Sequence, residues 1–99
     1  MTTAAPATSQ VIMKRDVGHL GSFCAIQATV DGKPLAELRP GEHVIAYLSF
    51  GDHILGARST GICGGGDAEF EVSVKPGQSR TYRISIDEGS AIRIGPTAY

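Results

Sequence analysis

The chain has 99 residues, of which 41% are hydrophobic and 6% aromatic, and it contains no Trp. This length supports one domain with a core made mainly of Val, Ile, Leu and Ala. The formal net charge is −1, and nine basic residues are scattered among ten acidic ones, so the clustered positive charge that nucleic acid requires is missing. No apolar stretch approaches the roughly 20 residues of a membrane-spanning helix. Composition therefore excludes a nucleic-acid partner and a membrane-spanning segment.

The first ten residues, MTTAAPATSQ, are small, uncharged and without periodicity. Such a segment buries too little apolar surface to offset the entropy of ordering it. We therefore predict a disordered spacer over residues 1–10 and a single domain over residues 11–99. The segment lacks the basic start and apolar stretch of a signal peptide. It is either the start of a cytosolic protein or the spacer left after an export signal was removed, and the cysteines favour the second interpretation.

The first half of the domain shows hydrophobic alternation with a period of two. Strands are predicted over residues 11–14, 23–30, 33–38, 43–50 and 53–58. Asp31-Gly32 between two extended segments predicts a hairpin, and Pro34 predicts that the return segment is an edge strand. The segment HVIAYLSF is apolar on both faces, which predicts a central strand covered on both sides, and Gly51-Asp52 is predicted to turn it into the next strand.

The second half is predicted to be a three-stranded meander. Apolar residues alternate with polar ones along each predicted strand, and those expected to point inward are Phe70, Val72, Val74, Tyr82, Ile84, Ile86, Ile92 and Ile94. Lys75-Pro76-Gly77-Gln78 has the signature of a type II turn, and Asp87-Glu88-Gly89 makes the next turn. The total is seven or eight short strands and no helical periodicity. The sequence therefore predicts an all-β fold, an antiparallel β-sandwich that is Ig-like or small and barrel-like.

Two cysteines, Cys24 and Cys63, lie 39 positions apart. Cys24 is on the apolar face of a predicted strand, and Cys63 is in a glycine-rich loop. In an exported protein we expect them to form a disulfide, which would contribute about 4 kcal/mol by closing so long a loop. The alternative is one buried inert thiol and one exposed thiol in a cytosolic protein. A redox site is less favoured, because there is no Cys-x-x-Cys motif and no helix start to lower a thiol pKa.

Three turn motifs resemble those of a known group of proteins. They are Val30-Asp31-Gly32-Lys33, the run from Leu48 to His53, and Val74-Lys75-Pro76-Gly77-Gln78 followed by Tyr82. Together they resemble PEGA-like modules and related short lipoproteins of bacteria, over Phe23 to Ile86. The resemblance implies a periplasmic or cell-surface β-sandwich that acts as an accessory or binding domain. The chain departs from the pattern in Gly64-Gly65-Gly66 and in its cysteines, and the resemblance implies no catalytic residues.

The segment from Ser59 to Asp67 is longer than strand joining requires. It lacks the Gly-Lys-Ser/Thr ending of a phosphate-binding loop and precedes a predicted strand, so a mobile loop or bulge is its ordinary interpretation. Loops of this kind at the end of a sandwich are also where binding residues tend to lie. The candidate binding residues are Gly61, Ile62, Gly64, Gly65, Gly66 and Asp67.

Neither a metal site nor a catalytic site is expected. The three histidines, His19, His43 and His53, have no zinc-site spacing, and only a constellation brought together by the fold, such as His19, His53 and Asp52, could bind a metal. None of the eight serines lies in a Gly-x-Ser-x-Gly motif or beside a histidine. We therefore expect no catalytic residues, no metal and no cofactor.

Three classes of function stay open. The first is a non-enzymatic accessory or binding domain of the bacterial envelope, periplasmic or at the cell surface, whose partner is an envelope protein, a glycan or a cell-wall component. In this class the chain is the mature part of a lipoprotein, with a lipid anchor upstream left open. The second is a structural subunit that assembles through its edge strands. The third, a small hydrolase or metal-dependent enzyme, is disfavoured by the missing motifs. A cytoplasmic location is the alternative.

Overall fold

The computed structural model describes residues 8–16, 25–59, 67–86 and 92–97, which form eight β-strands and no helix. The strands are β1 Thr8–Arg15, β2 Ile26–Val30, β3 Lys33–Leu38, β4 His43–Ser49, β5 Gly51–Ser59, β6 Asp67–Val74, β7 Ser79–Ile86 and β8 Ile92–Thr97. They form two four-stranded sheets, which confirms the predicted all-β sandwich. Sheet A has the order β4-β1-β7-β8, and sheet B has the order β3-β2-β5-β6.

Strand β1 lies inside sheet A and is paired on both sides. It runs antiparallel to β4 and parallel to β7, and every other pair in the two sheets is antiparallel. The strand begins at Thr8, three residues before the expected boundary at Val11. Residues 8–10 therefore belong to the sheet rather than to the spacer, because their backbone pairs with β4. Residues 1–7 lie outside the described part of the chain.

The core lies between the two sheets and follows the predicted period of two. Its largest fully buried side chains are Met13, Ile26, Leu55 and Ile84. In β1 the inward residues are buried and the outward ones half-buried, without exception along the strand. The rings of Phe70 in sheet B and Tyr82 in sheet A pack together with centroids 5.6 Å apart. In the absence of Trp, this ring pair is the largest aromatic contact between the sheets among the described residues.

Two predicted turns are confirmed by their backbone angles. Asp31 and Gly32 have φ values of 52° and 81° and join β2 to β3 as an antiparallel hairpin. These positive angles are those of a type I′ turn. Gly77 has a φ of 74°, as the type II turn requires. Strand β3 is an edge strand, as Pro34 predicts, and a register shift in its pairing with β2 leaves a bulge at Leu35.

The predicted meander is wrong at its first connection. Strand β6 lies in sheet B and β7 in sheet A, so the turn at residues 75–78 crosses between the sheets instead of closing a hairpin. Strand β7 pairs instead with β1 and β8. The same holds for β4 and β5, which are consecutive but lie in opposite sheets. A tight turn can join two strands that pair in one sheet or two strands that lie in opposite sheets. Which arrangement forms depends on the distant strands that are available as partners.

The expectation that residues 43–50 form a covered central strand is also wrong. Strand β4 is an edge of sheet A and pairs only with β1. Val44, Ala46 and Leu48 point towards the core, whereas Ile45 and Tyr47 are 43% and 37% exposed on the outer face. No described element covers that face, so the second apolar stripe of this strand is left at the surface.

Candidate functional site

The free side of β4 is the candidate site that the fold defines most clearly. One side of the strand pairs with β1 from Thr8↔Ser49 to Lys14↔His43, and the other side has no strand partner in the described sheets. The half-buried Ile12 of β1 lies directly opposite Ile45 and extends this apolar stripe onto β1. Unpaired backbone groups beside exposed apolar side chains form a template for an added strand.

The other three edge strands carry the features that block such pairing. Strand β3 contains Pro34, a bulge and two charged residues. Strand β8 contains Pro96 and a basic residue, and β6 has three acidic residues. In β4, HVIAYLS, there is no proline and no Lys, Arg, Asp or Glu. Among the described strands, β4 is therefore the one edge without the usual protection against added strands.

A second cluster lies at the end of β4 that carries Ser49, and it centres on His53. Its Nδ1 is 2.6 Å from Oδ2 of Asp31, and its Nε2 is 2.8 Å from the carbonyl oxygen of Ser49 and 3.2 Å from the Ser49 hydroxyl. The other carboxylate oxygen of Asp31 accepts a hydrogen bond of 2.9 Å from the backbone N–H of Ile54. The cluster joins the β2–β3 turn, the end of β4 and the start of β5.

The hydrogen bonds of His53 favour its charged form. The hydrogen bond to Asp31 raises the pKa of His53 and outweighs the opposing effect of burial, and the hydrogen bond to the carbonyl of Ser49 raises the pKa further. The hydrogen bond from His53, together with that from Ile54, lowers the pKa of Asp31. An imidazolium donates from both nitrogens, which suits a carboxylate on one side and a carbonyl on the other. With its side chain 14% exposed, the ring acts as a clamp between three segments.

The order Ser49, His53, Asp31 resembles the arrangement of a catalytic triad, which the sequence motifs did not predict. In a triad the histidine Nε2 must be free to accept the serine proton. Here the Nε2 is closer to the Ser49 carbonyl oxygen than to its hydroxyl, and the raised pKa of His53 favours a ring that has no lone pair to offer. The geometry supports a structural cross-link more strongly than a nucleophile with its base.

Arg15 is a buried residue that the sequence analysis missed, since the predicted strand stopped before it. It ends β1 and points inward at 3% exposure, and its Nη1 donates to the carbonyl oxygen of Leu38 at 2.9 Å. Its backbone also bonds to Glu42 and Gly41 in the corner between β3 and β4. Burial lowers the pKa of Arg15. This guanidinium therefore fixes the corner from which β4 starts.

Most of the predicted site residues lie outside the described part of the chain. They are Cys24, Cys63, Gly61, Ile62, Gly64, Gly65, Gly66 and His19. Asp67 is described: it begins β6, is exposed, and lies opposite Arg58. Of the metal constellation considered from the sequence, His53 contacts Asp31 rather than Asp52. In residues 8–16, 25–59, 67–86 and 92–97 no three potential metal ligands converge.

No protein-family model matches the chain, and no curated protein matches it either. The resemblance to PEGA-like modules therefore stays a prediction. Within the part of the chain that the structure describes, no helix is long and apolar enough to cross a membrane.

Proposed function

We propose that the chain is a non-enzymatic accessory or binding module of the bacterial cell envelope, and that it binds an extended segment of a partner protein along the free side of β4. The observation that carries the proposal is the unprotected edge of β4 with Ile45 and Tyr47 exposed beside it. Main-chain hydrogen bonds to the edge would supply affinity, and the alternating side chains would supply specificity.

Two features of the sequence support the envelope location. The turn motifs resemble those of exported bacterial β-domains, and the two cysteines suit an oxidising compartment. The fold adds a rigid support for the edge. Strand β1 holds β4 along seven residue pairs, and the corner below it is tied to Arg15. A rigid edge loses little conformational entropy on binding, which favours affinity.

The test places a lysine at the outer face of the edge. Ile45→Lys adds a charge of the kind that protects natural edge strands, so capture of a partner from envelope extract should be lost. Leu35→Lys makes the same change at a residue 39% exposed on the protected edge β3 and should leave capture intact. Thr81→Lys makes it on the outer face of the interior strand β7 and should also leave capture intact.

The pattern across the three variants decides the proposal. Capture that survives Ile45→Lys, in a variant with an unchanged circular dichroism spectrum, would contradict an edge site. Loss with Thr81→Lys as well would move the contact from the edge to the broad face of sheet A. Hydrogen exchange gives an independent measurement, because an added strand should slow exchange of amides in β4 and leave those of β3 unchanged.

An assembly subunit is the second candidate. The same unprotected edge could pair with β4 of another copy, as edge strands do when nothing blocks them. Size-exclusion chromatography at micromolar concentration separates the two candidates. A monomer that captures a partner supports the binding module, whereas an oligomer that persists in about 1 M salt and that Ile45→Lys dissociates supports assembly through edges.

A further inference from the structure

The two sheets carry opposite charge. The strands of sheet A contain five basic residues and no acidic one: Lys14, Arg15, Arg80, Arg83 and Arg93. The strands of sheet B contain five acidic residues and two basic ones: Glu37, Asp52, Asp67, Glu69, Glu71, Lys33 and Arg58. The formal net charge of the whole chain is only −1, so this segregation is concealed in the composition.

The segregation of charge is also present on the outer faces of the two sheets, where another molecule can contact it. The pairing register brings Lys14 beside Arg83 on the outside of sheet A, with Arg93 further along the same face. Asp16, beyond the end of β1, pairs with Arg83 at 3.0 Å and offsets part of this charge. Among the described residues, no acidic side chain belongs to a strand of this sheet.

The outside of sheet B is acidic. Glu69 and Glu71 are exposed on the edge strand β6, and Asp52 is exposed on β5. Asp67 lies opposite Arg58, so this pair is closer to neutral. Among these carboxylates, Ile54 lies opposite Glu71 and is 41% exposed.

Each face thus combines exposed apolar side chains with charge of one sign. On sheet A the exposed apolar residues are Ile45 and Tyr47, with the half-buried Ile12 beside them, and on sheet B they are Ile54 and, at the bulge of β3, Leu35. An apolar centre with a charged surround is the usual composition of a protein interface.

We propose that copies of this chain stack face to face, with the basic outer face of sheet A in one copy on the acidic outer face of sheet B in the next. Charge complementarity identifies a second copy of the chain as the partner, because the same chain carries both the basic face and the acidic face that complements it. Two like faces would repel each other, so the contact is heterologous. Each added copy presents a new free face, and the stack is therefore open-ended rather than a closed dimer.

This contact differs from the one in the proposed function. Stacking uses the side chains of the two broad faces, whereas strand addition uses the backbone at the edge of β4. The low net charge removes the overall repulsion that keeps strongly charged proteins apart. The two proposals can therefore fail separately, since one depends on salt and charge sign and the other on the state of a single edge.

Sedimentation velocity of the full chain at two salt concentrations tests the stacking. Electrostatic attraction reaches about 30 Å in 0.01 M salt and about 3 Å in 1 M salt. We expect the average mass to increase with protein concentration in the low salt and to return to that of a monomer in the high salt. A monomer at both, or association that salt does not weaken, would overturn the proposal.

Charge reversal identifies the faces. Lys14→Glu with Arg93→Glu makes both faces acidic, and Glu69→Lys with Glu71→Lys leaves the outer face of sheet B without net negative charge, so each variant alone should stay monomeric at low salt. An equimolar mixture of the two should associate again, because the complementary faces are restored between different copies. The control Arg39→Glu with Lys75→Glu reverses two charges outside the strands and should associate like the unchanged chain.

Circular dichroism first confirms that each variant keeps its strands, and the single substitutions Lys14→Glu and Glu71→Lys replace a double variant that does not. Failure of the mixture to associate would contradict the assignment of the faces. Vesicles of anionic phospholipid provide one further outcome. Binding of the unchanged chain to them through the Lys14 face, without any self-association, would assign that face to a membrane surface and reject stacking.

Discussion

His53 connects the β2–β3 turn with the end of β4 and the start of β5. Its ring lies between the carboxylate of Asp31 in the β2–β3 turn and the carbonyl of Ser49 at the end of β4. These segments belong to different sheets, so the ring holds the sandwich together at one end. Since both partners accept hydrogen bonds, the contact is strongest when His53 is protonated and Asp31 is ionised.

The stability of the fold should depend on pH through this pair. The raised pKa of His53 stabilises the fold below the ordinary histidine value of 6.5, and this contribution is lost as the pH rises through the raised pKa. The lowered pKa of Asp31 stabilises the fold above 3.8, and this is lost as the pH falls through the lowered pKa. Urea unfolding should therefore show the greatest destabilisation by His53→Gln between these two ordinary values, and progressively less at alkaline pH.

Ser49→Ala is the matched control for that measurement. The substitution removes the hydroxyl and keeps the carbonyl oxygen that His53 contacts at 2.8 Å. Its pH profile should follow that of the unchanged chain. An effect of Ser49→Ala equal to that of His53→Gln, or a His53→Gln difference that is the same at every pH, would contradict the clamp.

At the scale of single residues, the sequence predicted the turn residues but not the contacts that they make with distant side chains. Asp31 was identified from its place before Gly32, because the conformation of a tight turn depends on adjacent residues. Its partner His53 is 22 positions away, and only the pairing of β2 with β5 brings the two together. Arg15 was missed for a similar reason, since a basic residue at the end of a strand gives no local sign of burial.

Gly56 marks a close approach within sheet B. It lies on β5 opposite Thr29 of β2, and a Cβ atom built on it would overlap the hydroxyl of Thr29. Gly95 on β8 has open space in the same position. The two glycines therefore differ in surroundings although both lie in strands, so they form a matched pair.

Gly56→Ala should lower the free energy of unfolding by about 1–3 kcal/mol, as overpacking does, when measured by urea denaturation. Gly95→Ala should have an effect within about 0.5 kcal/mol, as surface substitutions usually do. Thr29→Ala removes the overlapping hydroxyl, so the double variant Thr29→Ala with Gly56→Ala should recover part of the loss. Equal effects of the two glycine substitutions, or no recovery, would contradict the close approach.

At the scale of elements, alternation and turn chemistry predicted the strands well but not the sheets to which they belong. The second apolar stripe of β4 was interpreted as burial on both faces, and it is instead an exposed patch that includes Ile45 and Tyr47. Sequence patterns record how apolar a face is. They do not record whether another layer or a partner covers it.

At the scale of the whole molecule, the predicted Cys24–Cys63 disulfide would stabilise the fold by cross-linking distant parts of the chain. The described strands that lead to the two cysteines are neighbours, since Ile26 of β2 pairs with Ser59 of β5. Cys24 is two residues before the first of these and Cys63 is four residues after the second, a separation that the chain can span. We expect both cysteines to be oxidised to each other in the native protein, with a stabilisation of about 4 kcal/mol.

Intact-mass measurement after alkylation under denaturing, non-reducing conditions tests this expectation. Protein recovered from its native compartment should take up no alkyl group, and the same sample should take up two after reduction. Uptake of two groups without reduction would reject the disulfide and favour the cytosolic alternative.

The interior position of β1 also governs when the fold can be completed. Gln10 near the start of the chain pairs with Tyr47 and also with Ser79. During synthesis this first strand must wait for β4, and then for β7, before both of its sides are paired. A nascent chain that ends before Ser79 has all four strands of sheet B but only half of sheet A. Pairing across such sequence separations folds slowly, and the sandwich cannot close until synthesis has passed β7.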